Sequence, residues 1–221
     1  MESTEGVRTL LSDPRVAIPS ITMPLAVAIL IQNLNSMTDI MWASWLGAAA
    51  VGGLGLAYPL YASVCGVGSG LAVGASSAIA RHVGLRDREG ASRAAGQSLF
   101  VMVAFSLLLS LILVPLASPL MHAFGEPQAA EAAVAYGMPM FVGAFFLISA
   151  SMMSGILRGE GAAKASMTIQ VAGAVSNMVL DPVLMYGFGM GVAGAGWATM
   201  LAGAVTLLHG SSQDVRVSPP A

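Results

Sequence analysis

Apolar residues in this chain come in long runs, without the strict alternation of a half-buried strand. Six runs stand out, at 16–41, 49–80, 94–116, 132–157, 165–188 and 192–208. Each falls within or above the ~17–25 residues that a helix uses to cross a bilayer. The pattern predicts six spanning helices, with a polar arm at 1–15 and a disordered polar tail at 209–221. Pro19 lies in the first turn of the first span, and Pro24, one turn later, frees a backbone carbonyl and is expected to bend that helix. The second span is long, carries Pro59 and the glycines Gly66, Gly68, Gly70 and Gly74, and reads as one tilted, kinked helix packed closely on its neighbours. The third is leucine-rich on all sides and is expected to face lipid. Between the runs, 81–93 reads as the one sizeable charged loop. Pro115, Pro119, Gly125 and Pro127 mark a short loop, and Gly187, Gly189 and Gly191 a tight uncharged turn.

Composition agrees with that reading. Of 221 residues, 56% are hydrophobic and 9% charged, against roughly 25% charged in soluble domains, so the fold class is an all-α membrane protein. Nine basic residues leave no surface for nucleic acid. Cys65 is the single cysteine, which excludes an intramolecular disulfide and a cysteine metal cluster. Glu2, Glu5 and Asp13 precede the first run in place of a basic segment, so no cleavable signal peptide is expected. The basic residues also set an orientation. Arg8, Arg15, Arg81, Arg86, Arg88, Arg93, Arg158, Lys164 and Arg216 all fall on one side of a six-span topology. By the positive-inside rule that side is cytoplasmic, with both termini inside and the protein in the cell inner (plasma) membrane.

Candidate chemistry lies where polar groups interrupt the apolar runs. Asn177 and Asp181 are four residues apart in the fifth run and so share a helix face. A carboxylate at membrane depth is costly and marks a cavity, an ion pathway or a proton relay. In this topology Asp39 near the end of the first span, Thr199 in the sixth, and Asn177 and Asp181 share the outer half of the membrane, and Tyr136 in the fourth lies close to that level. Two carboxylates facing one cavity repel, so that one keeps its proton or both share a cation. The amide and hydroxyl oxygens suit Na⁺ as a hard cation. A structural polar network and a coincidence of depth are the alternatives that position alone leaves open. An enzyme is not expected: no nucleophile sits beside a base, no histidine lies at membrane depth, and no metal-ligand spacing occurs.

Several motifs in order resemble the MATE (multidrug and toxic compound extrusion) transporters. Gln32-Asn33-Leu34-Asn35-Ser36-Met37-Thr38-Asp39 followed by Trp45-Leu46-Gly47 is similar to their first helix, without its usual basic residue before the Leu-Gly. Gly68-x-Gly70-Leu71-x-x-Gly74-Ala75-x-Ser77 with Arg81-x-x-Gly84 resembles the second helix and the loop after it. Ser154-Gly155-x-Leu157-Arg158-Gly159-Glu160-Gly161 resembles the loop after the fourth. Asn177-x-x-Leu180-Asp181-Pro182 and Gly191-Val192-x-Gly194-Ala195-x-x-Ala198-Thr199 resemble helices five and six. The resemblance covers almost all of 16–208. It implies a six-transmembrane-helix bundle corresponding to one lobe of a twelve-helix transporter, working as a secondary antiporter that exports organic cationic drugs or metabolites in exchange for Na⁺ or H⁺. It further implies a cation or proton site at Asp39, Asn177, Asp181 and Thr199, with Tyr136 beside it, and Na⁺ as the candidate coupling ion with no other cofactor. The implied partners are the lipid bilayer, small organic cations, the coupling ion, and a second six-helix half or a second copy of this chain. A truncated, non-transporting membrane remnant or a membrane interaction protein is the alternative expectation.

Overall fold

The computed structural model describes residues 14–212, and within them every element is helical. In chain order these are α1 (Pro14–Trp45), α2 (Ala48–Gly84), α3 (Arg88–Phe124), α4 (Pro127–Val142), α5 (Ala144–Gly159), α6 (Ala163–Pro182), a π-helical turn (Val183–Gly187) and α7 (Val192–Ser212). Among the described residues four helices are long and apolar enough to cross a membrane, and a fifth passage is the pair α4 and α5, bent by 57° at the break. The 32 residues of α1 extend for about 48 Å at the α-helical rise, enough for a sixth passage. The arm at 1–13 and the tail from 213 onward lie outside the described residues.

Most helices run further than the apolar pattern predicts. The charged stretch at 81–93 is mostly helix: α2 continues to Gly84 and α3 starts at Arg88, leaving three residues as the turn. Asp87 makes this turn tight. It caps α3 by accepting a hydrogen bond from the Gly90 N–H at 2.9 Å and pairs with His82 Nδ1 at 2.9 Å. Pro115 and Pro119 lie inside α3 instead of marking a loop. A proline removes one intrahelical bond, whereas an open loop at membrane depth would expose several unpaired backbone groups. The prolines of α1 and α2 are likewise carried within continuous helices. In the fourth span the break falls at Gly143, one turn after Pro139. No polar residue announces it. At its C-terminal end α7 continues through His209 to Ser212, four residues past the apolar run.

The core lies where α2, α4 and α5 meet, around Phe141, Met140, Ile148, Met152 and Ile79, all essentially inaccessible. Small residues allow this. A Cβ on Gly155 of α5 would lie 2.5 Å from the Ala72 carbonyl oxygen and 2.8 Å from its Cα on α2, so the two backbones are in contact, as helices in lipid pack when glycine lines the seam. On α3, Phe100, Leu107 and Leu111 point away from the bundle, as expected of a lipid-facing helix.

Candidate cation and proton site

The polar residues singled out by depth come together between α1, α4, α6 and α7. Asn35, Asp39, Asn177 and Asp181 are all buried, Asp181 completely. The spacing of four on each helix explains the arrangement: Asn35 and Asp39 stack on one face of α1, as Asn177 and Asp181 do on α6. Asn35 Nδ2 donates to Asn177 Oδ1 at 2.7 Å, and Asn177 Nδ2 lies 3.4 Å from both Asp181 Oδ1 and Thr199 Oγ1. Turning the Asn177 amide over satisfies it better, because its nitrogen then donates to Asp39 Oδ1 at 3.2 Å and its oxygen accepts from the Thr199 N–H at 3.1 Å. In either orientation Asn177 joins α1, α6 and α7. Asn35 belongs to this site although only its spacing from Asp39 could have indicated it.

The carboxyls of Asp39 and Asp181 are near neighbours, both against the Asn177 amide. Asp181 Oδ2 has no donor at all. Two facing acceptors need a proton or a cation between them. Tyr136 joins from α4 as a buried neighbour of Thr199, whose hydroxyl donates to the Ala195 carbonyl at 3.0 Å. Tyr136 is brought this close because Gly196 of α7 rests directly against its backbone carbonyl, leaving no room for a side chain. Above the site, Trp42, Trp45 and Tyr186 form an aromatic cluster in which the Tyr186 hydroxyl donates to the Trp42 carbonyl. The turn that presents Tyr186 is the π-helical segment after Pro182.

An open cavity of about 590 Å³ borders the site. Its lining includes Asn35, Asn177 and Thr199 beside the acids, Tyr61 and Cys65 of α2, and Ser154, Arg158 and Gln170 farther along α5 and α6. The two carboxylates stand behind the amides, out of the cavity wall. Arg158 is the residue that sequence reasoning misplaced, since it reads as a loop charge but is in the last turn of α5.

The MatE family model matches residues 24–183. This chain belongs to the MATE family. Its polar cluster therefore lies in the fold of a family of transport proteins and not of enzymes. The chain is 26% identical over 191 residues to the multidrug export protein MepA of Staphylococcus aureus, covering 85% of this chain and 42% of the relative. With MepA of Staphylococcus saprophyticus it shares 24% over 189 residues, with the same coverage. Among solved structures it is similar to a MOP superfamily transporter from Pyrococcus furiosus, with a TM-score of 0.92 and 34% identity, covering 100% of this chain and 52% of that one. A MATE bound to MaL6 superposes with a TM-score of 0.91 and 35% identity, over 98% of this chain and 48% of the other. The chain thus spans about half the length of the MATE proteins it matches. The fold is an all-α bundle corresponding to one lobe of the MATE transporter.

Proposed function

We propose that this bundle is the ion-coupling lobe of a secondary antiporter, exporting organic cations in exchange for Na⁺ or H⁺. The observation that carries the reading is the pair of carboxyls, Asp39 and Asp181, buried against each other with one oxygen lacking a donor. Thr199 and Tyr136 supply neutral oxygens near them and the Asn177 amide N–H steadies a carboxylate, a set suited to a hard cation or a shared proton. In this reading the ion or proton occupies the acid pair, and the amides of Asn35 and Asn177 transmit its presence to the cavity wall, where the exported compound binds. Binding of either partner then changes the affinity for the other by the same factor. The apolar side chains that α1 turns outward, such as Ile29, Leu30 and Leu34, support a working unit in which this bundle sits in lipid beside a second six-helix half or another copy of the chain. The distribution of basic residues favours both termini in the cytoplasm of the plasma membrane.

The test is direct. Purified protein in detergent should change its intrinsic tryptophan fluorescence on addition of millimolar Na⁺ or on a step between pH 5 and 8, because Trp42 and Trp45 lie close above Asp39. Asp181→Asn should abolish the response. A wild-type protein indifferent to both ions would sink the reading.

A further inference from the structure

The end of the cavity farthest from Asn177 carries a positive group that ion coupling leaves unused. Arg158 Nη1 donates to Ser154 Oγ at 2.8 Å and lies 3.5 Å from Ser166 Oγ. The two serine oxygens are 2.6 Å apart. Gln170 Nε2 approaches the Ser166 carbonyl at 3.2 Å and its Oγ at 3.4 Å. Arg158 thus donates into a pair of hydroxyls that share one short hydrogen bond, in which either serine can be the donor.

The charge balance points the same way. Among the described residues no carboxylate forms an ion pair with Arg158, whose contacts are hydroxyls alone. A guanidinium keeps its charge at any ordinary pH, and partial burial without a counter-charge is costly. Ser166 also lies in the first turn of α6, where the unpaired N–H groups add partial positive charge. The frame is rigid: Gly155 and Gly159 hold α5 against the α2 backbone at Ala72 and Ser76. Ser166 and Asn177 are eleven residues apart on α6, about 16 Å, so the cavity presents a cationic end and, at a distance, an end backed by acids.

We propose that Arg158, Ser154 and Gln170 form an anion subsite at this end of the cavity, which takes the carboxylate of an amphiphile whose apolar part lies along Ala150, Ala174 and Gly203. The planar fork of the guanidinium matches a carboxylate, the Gln170 amide offers N–H groups beside it, and Ala150, Ala174 and Gly203 give the wall between apolar ground among its hydroxyl-bearing residues. The compounds that enter such a cavity thus include anionic and zwitterionic amphiphiles as well as cations.

Octanoate and octanamide differ in charge but hardly in apolar bulk, and calorimetry on the purified chain in a neutral detergent compares them. Octanoate should bind at least ten-fold more tightly. Arg158→Gln should remove the preference, and Ser154→Ala should reduce it several-fold while keeping the guanidinium, so that the test stands even where the arginine variant fails to fold. Asp181→Asn should keep the preference while losing the Na⁺ or pH response, which separates this subsite from the coupling site. Equal affinity for the two probes, or a preference that survives in both cavity variants, would overturn the proposal. Tighter Arg158-dependent binding of dihexanoylphosphatidylglycerol than of octanoate would overturn it as well, in favour of a lipid headgroup site.

Discussion

Side chains at the site divide by which helix they satisfy. Asn35 bonds across to Asn177 on α6, whereas Ser36, one residue on, bonds back to the Gln32 carbonyl of its own helix at 3.3 Å. Asn35→Leu should therefore lower stability by about 0.6–1.7 kcal/mol, the average to the upper end for an interhelical polar contact in a membrane protein. Ser36→Ala should stay within about 0.5 kcal/mol. Thermal melts of both variants in one detergent make the comparison. Asp39, Asn177, Asp181 and Thr199 were legible in the sequence because each interrupts an apolar run, and polar atoms at that depth must find partners. Asn35 was harder to pick out among Asn33, Ser36 and Thr38. Its distinction is that it lies one helical turn before Asp39, a fact of spacing and not of residue type. Arg158 was legible as a charge but not as a cavity residue, since hydropathy marks where a run ends and not where the helix does.

Elements depend on caps and seams that hydropathy does not register. Asp87 holds the start of α3, and the Gly90 N–H, then His82, keeps its carboxyl below the ordinary aspartate range. Such a depressed pKa means that the cap is fully in place above pH ~4 and is lost as the pH falls through the lower folded-state value. Amide exchange at Gly90, corrected for intrinsic rate, should hence stay constant from pH 7 to about pH 4 and speed up below it. Helix seams provide a second test. Gly155→Ala pushes a methyl group into the α2 backbone and should cost about 1–3 kcal/mol. At Gly74 a Cβ would meet nothing within 4 Å, so Gly74→Ala should be neutral or stabilising by up to about 1 kcal/mol. Melting temperatures of the pair decide whether contact or composition governs. Run lengths revealed how many passages the chain makes. The bend at Gly143 and the helical course of Pro115 and Pro119 were not legible, because a proline or glycine signals a breaker locally while the surrounding lipid favours keeping the backbone bonded.

At the scale of the molecule, one bundle places an acid pair behind one end of a cavity and, at the other, a guanidinium that forms no ion pair among the described residues. The orientation proposed from the basic residues is open to labelling. In a cysteine-free background made by Cys65→Ala, Glu126→Cys should react with an impermeant maleimide from outside intact cells, and Arg86→Cys only after permeabilisation. The reverse pattern would invert the bundle. The π-helical turn from Val183 to Gly187 bears on how such a fold tolerates change over generations. A π turn is in effect one extra residue carried inside a helix. Removing Val183, Leu184 or Met185 would restore ordinary winding and swing Tyr186 by about 100°, away from the Trp42 carbonyl it now holds. Insertions and deletions that pass unnoticed in the turns between passages would, in these positions, detach the roof from the site beneath it.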